Sequence, residues 1–173
     1  AVKLLDPAVL HKTEAGGVHL DIRTAADLDA ALDALESIGA TRYLVEAMAP
    51  PGVDLVVGGC RDPVFGPVVL LGLGGTTAEA LADVSVRLAP LPETEAGAMA
   101  GDLAGRALLD GWRGGPVLDR AELGHVIATV GRLIAAHPHL AEAEINPLRV
   151  TTDGLFALDA VIITRDATDD AIR

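Results

Sequence analysis

The chain has 173 residues, half of them hydrophobic but only 2% aromatic, and a formal net charge of −12. That length can bury an aliphatic core as one large domain or two small lobes, whereas the acidic balance argues against nucleic acid, which needs a basic footprint. No apolar run reaches the roughly 20 residues of a membrane helix. A single cysteine, Cys60, rules out an internal disulfide; with no signal-peptide pattern at the start, a cytoplasmic setting is expected.

In chain order, Val2–Leu5 reads as a strand running into an Asp6-Pro7 turn, and Val18–Ile22 as a second strand. Thr24 caps a helix over Ala25–Ile38, whose Leu28, Ala31, Leu32 and Leu35 have helical spacing before Gly39 ends it. Tyr43–Met48 is a strand, followed by a Pro50-Pro51-Gly52 turn. Val53–Cys60 and Pro67–Leu73 read as antiparallel neighbours around an Arg61–Gly66 turn, with Cys60 taken as a buried apolar residue. A helical turn over Ala78–Leu81 and a strand over Ser85–Ala89 come next. Helices over Glu93–Ala104 and Arg120–His137 flank a Gly111–Gly115 loop. The chain closes with strands Ala143–Val150 and Leu155–Ile163. Hairpins mixed with helices, without strict strand–helix alternation, define an α+β protein.

The closing hairpin carries the sharpest chemistry. Asp153-Gly154 between apolar runs signals a two-residue turn, which would pair Thr152 with Leu155 and Leu148 with Asp159. Asn146 then lies a diagonal step from Asp159 on one face. An amide oxygen and a carboxylate suit magnesium, which takes its other ligands from water and phosphate; an ordinary polar hairpin has the same composition. Glu144 shares the Asn146 face by two-residue alternation. Lys3 is a charge in an apolar strand. Gly16-Gly17 can turn backbone N–H groups toward a phosphate, and His11 just before them can accept a phosphoryl group. Gly72-Leu73-Gly74-Gly75 has the wrong spacing for a dinucleotide fingerprint and is expected to let the backbone pass close to the site. Glu79, Asp83 and Arg87 form a series that could neutralise itself.

Several motifs occur together in a fixed order: His11-Lys12-Thr13-Glu14-Ala15-Gly16-Gly17-Val18, Leu44-Val45-Glu46-Ala47-Met48, Pro51-Gly52-Val53-Asp54, Arg61-Asp62-Pro63-Val64-Phe65-Gly66-Pro67-Val68, Gly72-Leu73-Gly74-Gly75 and Glu144-Ile145-Asn146-Pro147-Leu148 with Asp159. In this order they resemble the ATP-grasp domain of succinyl-CoA synthetase β chains and, more closely, of ADP-forming acyl-CoA synthetases. The likeness covers most of the chain. It implies a two-lobed α+β ATP-grasp fold, truncated at its N-terminus, with residues 1–42 as part of one lobe and 43–173 as the other. It also implies ATP or ADP with magnesium as cofactors. Lys3, Gly16, Gly17 and Arg87 would serve the phosphates, and Glu46 and Met48 the adenine. Asp54, where the family tends to have glutamate, would serve the ribose, while Asn146 and Asp159 would hold the metal. His11 would be the phosphoryl carrier and Glu144 the acid that orients its imidazole.

Two functions follow from this resemblance. One is the nucleotide-binding domain of an acid–CoA ligase, working with CoA-binding and ligase domains of the same or a partner chain. The other is a regulatory module attached to a GNAT-type protein lysine acetyltransferase.

Overall fold

The computed structural model describes residues 1–6, 15–74 and 82–165; the expected helical turn over 78–81 lies outside them. Contacts divide the chain into Ala1–Pro50 and Pro51–Arg173.

In the first unit, β1 (Val2–Leu4) pairs antiparallel with both β2 (Val18–His19) and β3 (Tyr43–Val45). Because β3 is hydrogen-bonded to β1, the division falls beyond it, at Pro50, and not at the 42/43 boundary expected from sequence. Helix α1 (Ala25–Ser37) starts with a reciprocal cap: Asp27 N–H donates to the Thr24 hydroxyl, and Thr24 N–H to the Asp27 carboxylate. It buries Leu35 with Val2, Leu4 and Ala40.

The second unit is a six-stranded antiparallel sheet, order β6-β5-β4-β7-β8, with β9 also paired to β7. Its strands are β4 (Val53–Asp62), β5 (Gly66–Leu73), β6 (Val84–Leu88), β7 (Leu140–Thr151), β8 (Gly154–Ala157) and β9 (Ala160–Thr164). Two-residue alternation separates its faces. Leu55, Val57, Val69 and Leu71 are buried in a core with Leu123, Ile127 and Ile134 of helix α3 (Arg120–Ala136). The alternate β4 positions, Asp54, Val56, Gly58 and Cys60, lie on the other, open face. Cys60 is therefore exposed, contrary to the buried role expected for an apolar-looking strand end.

Helix α2 (Glu93–Ala98) continues only as a 3₁₀ turn over Met99–Gly101, short of the predicted Ala104. The Asp83 carboxylate accepts the N–H groups of Ala104 and Gly105 at 2.8 Å each, so those donors leave the helical ladder. Asp83 consequently does not pair with Arg87. Arg87 shares the covered face with buried Ser85, and its guanidinium binds the Asp102 carboxylate and Ser85 Oγ, with Glu95 at 4.0 Å. Ser85 and then Arg87 hold the Asp102 carboxyl below the ordinary carboxylate range. The expected phosphate role of Arg87 does not fit this placement, because the sheet itself separates Arg87 from the open face.

Helices α2 and α3 touch through glycines. A Cβ on Gly124 would lie 2.2 Å from the Glu93 carbonyl oxygen, and one on Gly97 would lie 2.3 Å from that of Arg120. Helix propensity alone makes Gly124→Ala stabilising by about 1 kcal/mol. The backbone clash reverses that sign, so urea unfolding of Gly124→Ala is expected to show a loss of about 1–3 kcal/mol. A gain in stability would mean that the helices do not approach this closely.

Candidate functional site

The final hairpin is built around Thr151, not around Asp153-Gly154. The buried Thr151 hydroxyl accepts Asp153 N–H and donates to the Gly154 carbonyl, both at 3.0 Å. This places the two-residue turn at Thr152-Asp153 and pairs Thr151 with Gly154 and Leu148 with Ala157. The expected pairing of Thr152 with Leu155 is thus off by two residues. A two-residue slip keeps every side chain on its face. It also improves the juxtaposition of interest: Asn146 is directly opposite Asp159, and its N–H donates to the Asp159 carbonyl at 3.0 Å.

Proline shapes the same place. Leu158 N–H donates to the Pro147 carbonyl at 3.0 Å, but Pro147 has no N–H to return the bond. The predicted single strand over Leu155–Ile163 is accordingly two, β8 and β9, with Leu158 and Asp159 between them. On the other side of β7, Leu148 pairs with Leu55 and Ile145 with Val57, so Asn146 and Pro147 together oppose Val56. This bulge gives Asn146 and Asp159 a widened, half-buried position between regular ladders.

Around this pair the open face carries Glu144, Asp54 and Arg149. Glu144 stands between Gly58 of β4 and Val161 of β9 and makes no ion pair among the described residues. Asp54 is bound by both arms of the Arg149 guanidinium, at 2.7 and 2.9 Å, and this hydrogen bonding raises the Arg149 pKa above its ordinary value. The glycine run passes directly behind: Gly74 N–H donates to the Asp54 carbonyl at 2.7 Å, and a Cβ there would stand 3.1 Å from the Asp54 carbonyl carbon. Sequence reasoning missed Arg149, because its pairing with Asp54 depends on a β4–β7 register that no local signal encodes.

In the first unit, Lys3 and Glu46 meet. Lys3 Nζ lies 2.6 Å from the Glu46 carboxylate, and the Lys3 side chain is 14% exposed. The Ala1 and Glu46 backbones exchange hydrogen bonds at 2.8 and 3.0 Å, which fixes Glu46 at the end of β3. Met48 is exposed beyond it. Gly16 adopts a φ of +72°, and the Gly17 carbonyl accepts Leu4 N–H at 2.8 Å, so the pair forms the turn into β2. His11 lies outside the described residues.

A cavity of about 330 Å³ between the α3 N-terminus and the β7–β8 turn is lined by Asp119, Glu122, Asp153 and Leu155 among others. Asp119 caps α3 and Glu122 accepts Leu155 N–H. Three carboxylates around this cavity repel an anionic ligand, and none of the candidate site residues read from the sequence lines it.

The order of elements, the glycine run behind Asp54 and the Asn146–Asp159 pair define the class. An ATP-grasp domain model matches residues 1–164, and the chain belongs to the ATP-grasp family. It is 35% identical over 94% of its length to the β subunit of an ADP-forming acetate–CoA ligase from Pyrococcus furiosus, covering 73% of that chain. It is 36% identical over 90% of its length to a trans-feruloyl-CoA synthase from an unknown prokaryotic organism, of which it spans only 24%. Among solved structures, an acetyl-coenzyme A synthetase from Ca. Korarchaeum cryptofilum superposes with a TM-score of 0.80 at 36% identity, covering 95% of this chain and 76% of that one. That protein was solved with coenzyme A and Mg-AMPPCP, its phosphohistidine segment pointing towards the nucleotide-binding site. The α+β expectation accords with the mixed helices and antiparallel sheets of this chain. Among the described residues no helix is long and apolar enough to cross a membrane.

The donor set can be tested against magnesium. The described residues contain no group of three or more His, Cys, Asp and Glu side chains placed to cage an ion. One amide and one carboxylate facing each other fit an ion that leaves most of its coordination sphere to water and phosphate.

Proposed function

We propose that this chain is the nucleotide-binding domain of an ADP-forming acid–CoA ligase, exchanging a phosphoryl group between a phosphohistidine and ADP. The observation that carries this reading is the direct opposition of Asn146 and Asp159 on the open face, with Glu144 two residues along the same strand. In the whole enzyme, acyl-CoA, ADP and phosphate would give carboxylate, CoA and ATP. The CoA-binding and ligase steps would belong to other domains of the same or a partner chain, in a cytoplasmic setting. The relatives matched are CoA ligases and synthases, which supports this reading over attachment to an acetyltransferase.

In the exchange itself, the bond between the imidazole nitrogen and phosphorus breaks as a terminal ADP oxygen bonds to phosphorus. Most of the catalytic work in such a transfer is positioning and charge neutralisation. Asn146 and Asp159 would hold magnesium, which when bound offsets phosphate charge. Glu144 would orient the His11 ring and stabilise its protonated form. Lys3, steadied by Glu46, would supply a compact cation to phosphate, and Gly16-Gly17 backbone N–H groups would add donors. Glu46 and Met48 would border the adenine. The two lobes are proposed to divide near Pro50, so that β3 belongs with the first.

Calorimetric titration with magnesium and ADP tests the metal assignment. Asp159→Asn removes one charged contact, worth about 1.5–3 kcal/mol, so affinity is expected to fall roughly tenfold or more. Unchanged affinity would remove Asp159 from the site. Incubation with magnesium-ATP, in the presence of the CoA-binding domains, is expected to leave an acid-labile, base-stable phosphoryl group that His11→Ala abolishes while nucleotide affinity stays within twofold or so of wild type. Full labelling of His11→Ala would place the acceptor elsewhere.

A further inference from the structure

Arg149 is not among the residues that the sequence singles out, yet it takes up both carboxylate oxygens of Asp54. Its Nε donates to Oδ1 at 2.7 Å and Nη2 to Oδ2 at 2.9 Å. Each side chain is 23% exposed, so the pair is neither sealed in the core nor loose on the surface. A guanidinium has five N–H donors and an ionised carboxylate about four lone-pair sites. The fork uses two of each. What remains on the open face is a charge-neutral unit with spare donors beside spare acceptors.

That combination matches vicinal hydroxyls, each of which both donates and accepts. It matches phosphate poorly, because the Asp54 carboxylate repels an anion brought to its partner. Position agrees. Arg149 and Asn146 stand two partner-strand steps apart, opposite Asp54 and Val56, roughly 7 Å at strand rise, comparable to the span from the sugar hydroxyls to the terminal phosphate of a nucleoside diphosphate. Phe156, paired with Arg149 from β8 and 39% exposed, puts an apolar ring beside the pair. Gly74 pins the Asp54 backbone from behind.

We infer that Arg149 is a ribose-reading residue of the nucleotide site, held in place by Asp54: Arg149 donates to the sugar hydroxyl oxygens while Asp54 accepts a hydroxyl proton. The inference rests on the nucleotide-binding reading above. It deepens that reading by replacing a lone carboxylate acceptor with a donor–acceptor pair.

The test compares magnesium-ADP with magnesium-2′-deoxyADP by calorimetric titration of the wild-type chain, Arg149→Met and Arg149→Lys. Loss of one hydrogen bond to a charged group corresponds to a roughly tenfold or larger change in affinity. The wild type is expected to prefer ADP by that factor. Arg149→Met is expected to weaken ADP binding similarly while leaving 2′-deoxyADP nearly unchanged, so the preference shrinks toward unity. Arg149→Lys keeps the charge but loses the planar fork and is expected to fall between the two. Should the methionine variant fail to fold by circular dichroism, the lysine variant decides, and a full wild-type preference there overturns the inference. Equal or tighter ADP binding by Arg149→Met, with its preference intact, would mean that Asp54 reads the sugar alone. A wild type that binds both nucleotides equally would overturn the ribose assignment and leave nucleotide binding standing. A wild type that binds neither would remove the nucleotide reading itself, and this inference with it.

Discussion

The arrangement on the open face depends on the register of β7 against its two neighbours. On one side Asp54 is paired with Arg149 and Gly58 with Glu144; on the other Glu144 is paired with Val161 and Leu148 with Ala157. Two local devices hold that register. Thr151 hydrogen-bonds into the turn and fixes where β8 begins. Pro147 lacks the N–H that would continue the ladder, and the extra residue opposite Val56 absorbs the irregularity. A slip of one residue in either pairing would turn Asn146 or Asp159 toward the core.

The same sheet explains why so few side chains can serve the ligand. Its other face is closed by α2 and α3, packed closely enough that Gly97 and Gly124 touch backbone carbonyls. Polar groups on that face are drawn to one another, as in the cluster of Ser85, Arg87 and Asp102, or to the helix, as where Arg61 donates to the Ile134 carbonyl. The outward positions of β4 and β7 alternate with an aliphatic core and, with Asp159 between β8 and β9, make up this unit's share of the proposed site. Along β7 these positions run from Arg149 through Asn146 to Glu144, an order that in the proposed site would follow a nucleotide from sugar to terminal phosphate.

Much of this was legible in the amino-acid sequence, and the exceptions share a physical cause. Helix α1 could be read from Thr24 and its leucine spacing, and the β4–β5 hairpin from two β-branched runs around a turn, because those signals are local. Asn146 and Asp159 were legible as partners because a two-residue error in the turn preserves the face. Cys60, Arg87 and Arg149 were misjudged or missed because each depends on which face a strand turns to the helices, or on which residue lies opposite in a distant strand. The Thr151 hydroxyl outweighed the familiar Asp-Gly signal, a competition between a side-chain bond and a glycine preference that composition does not resolve. The early end of α2 likewise depends on Asp83, which reaches across from before β6.

The central claim is that metal and nucleotide meet on the open face between β7 and β9. Replacing magnesium by manganese in an ADP complex of the ¹⁵N-labelled chain measures this directly, since the paramagnetic ion broadens amide resonances close to it. Binding between Asn146 and Asp159 predicts the strongest broadening at Glu144–Arg149 and Leu158–Val161, weakening with distance through the core towards α3 and Ala96–Asp102. Broadening centred on Asp119, Glu122 and Asp153, or on the Ser85–Asp102 cluster, would contradict it.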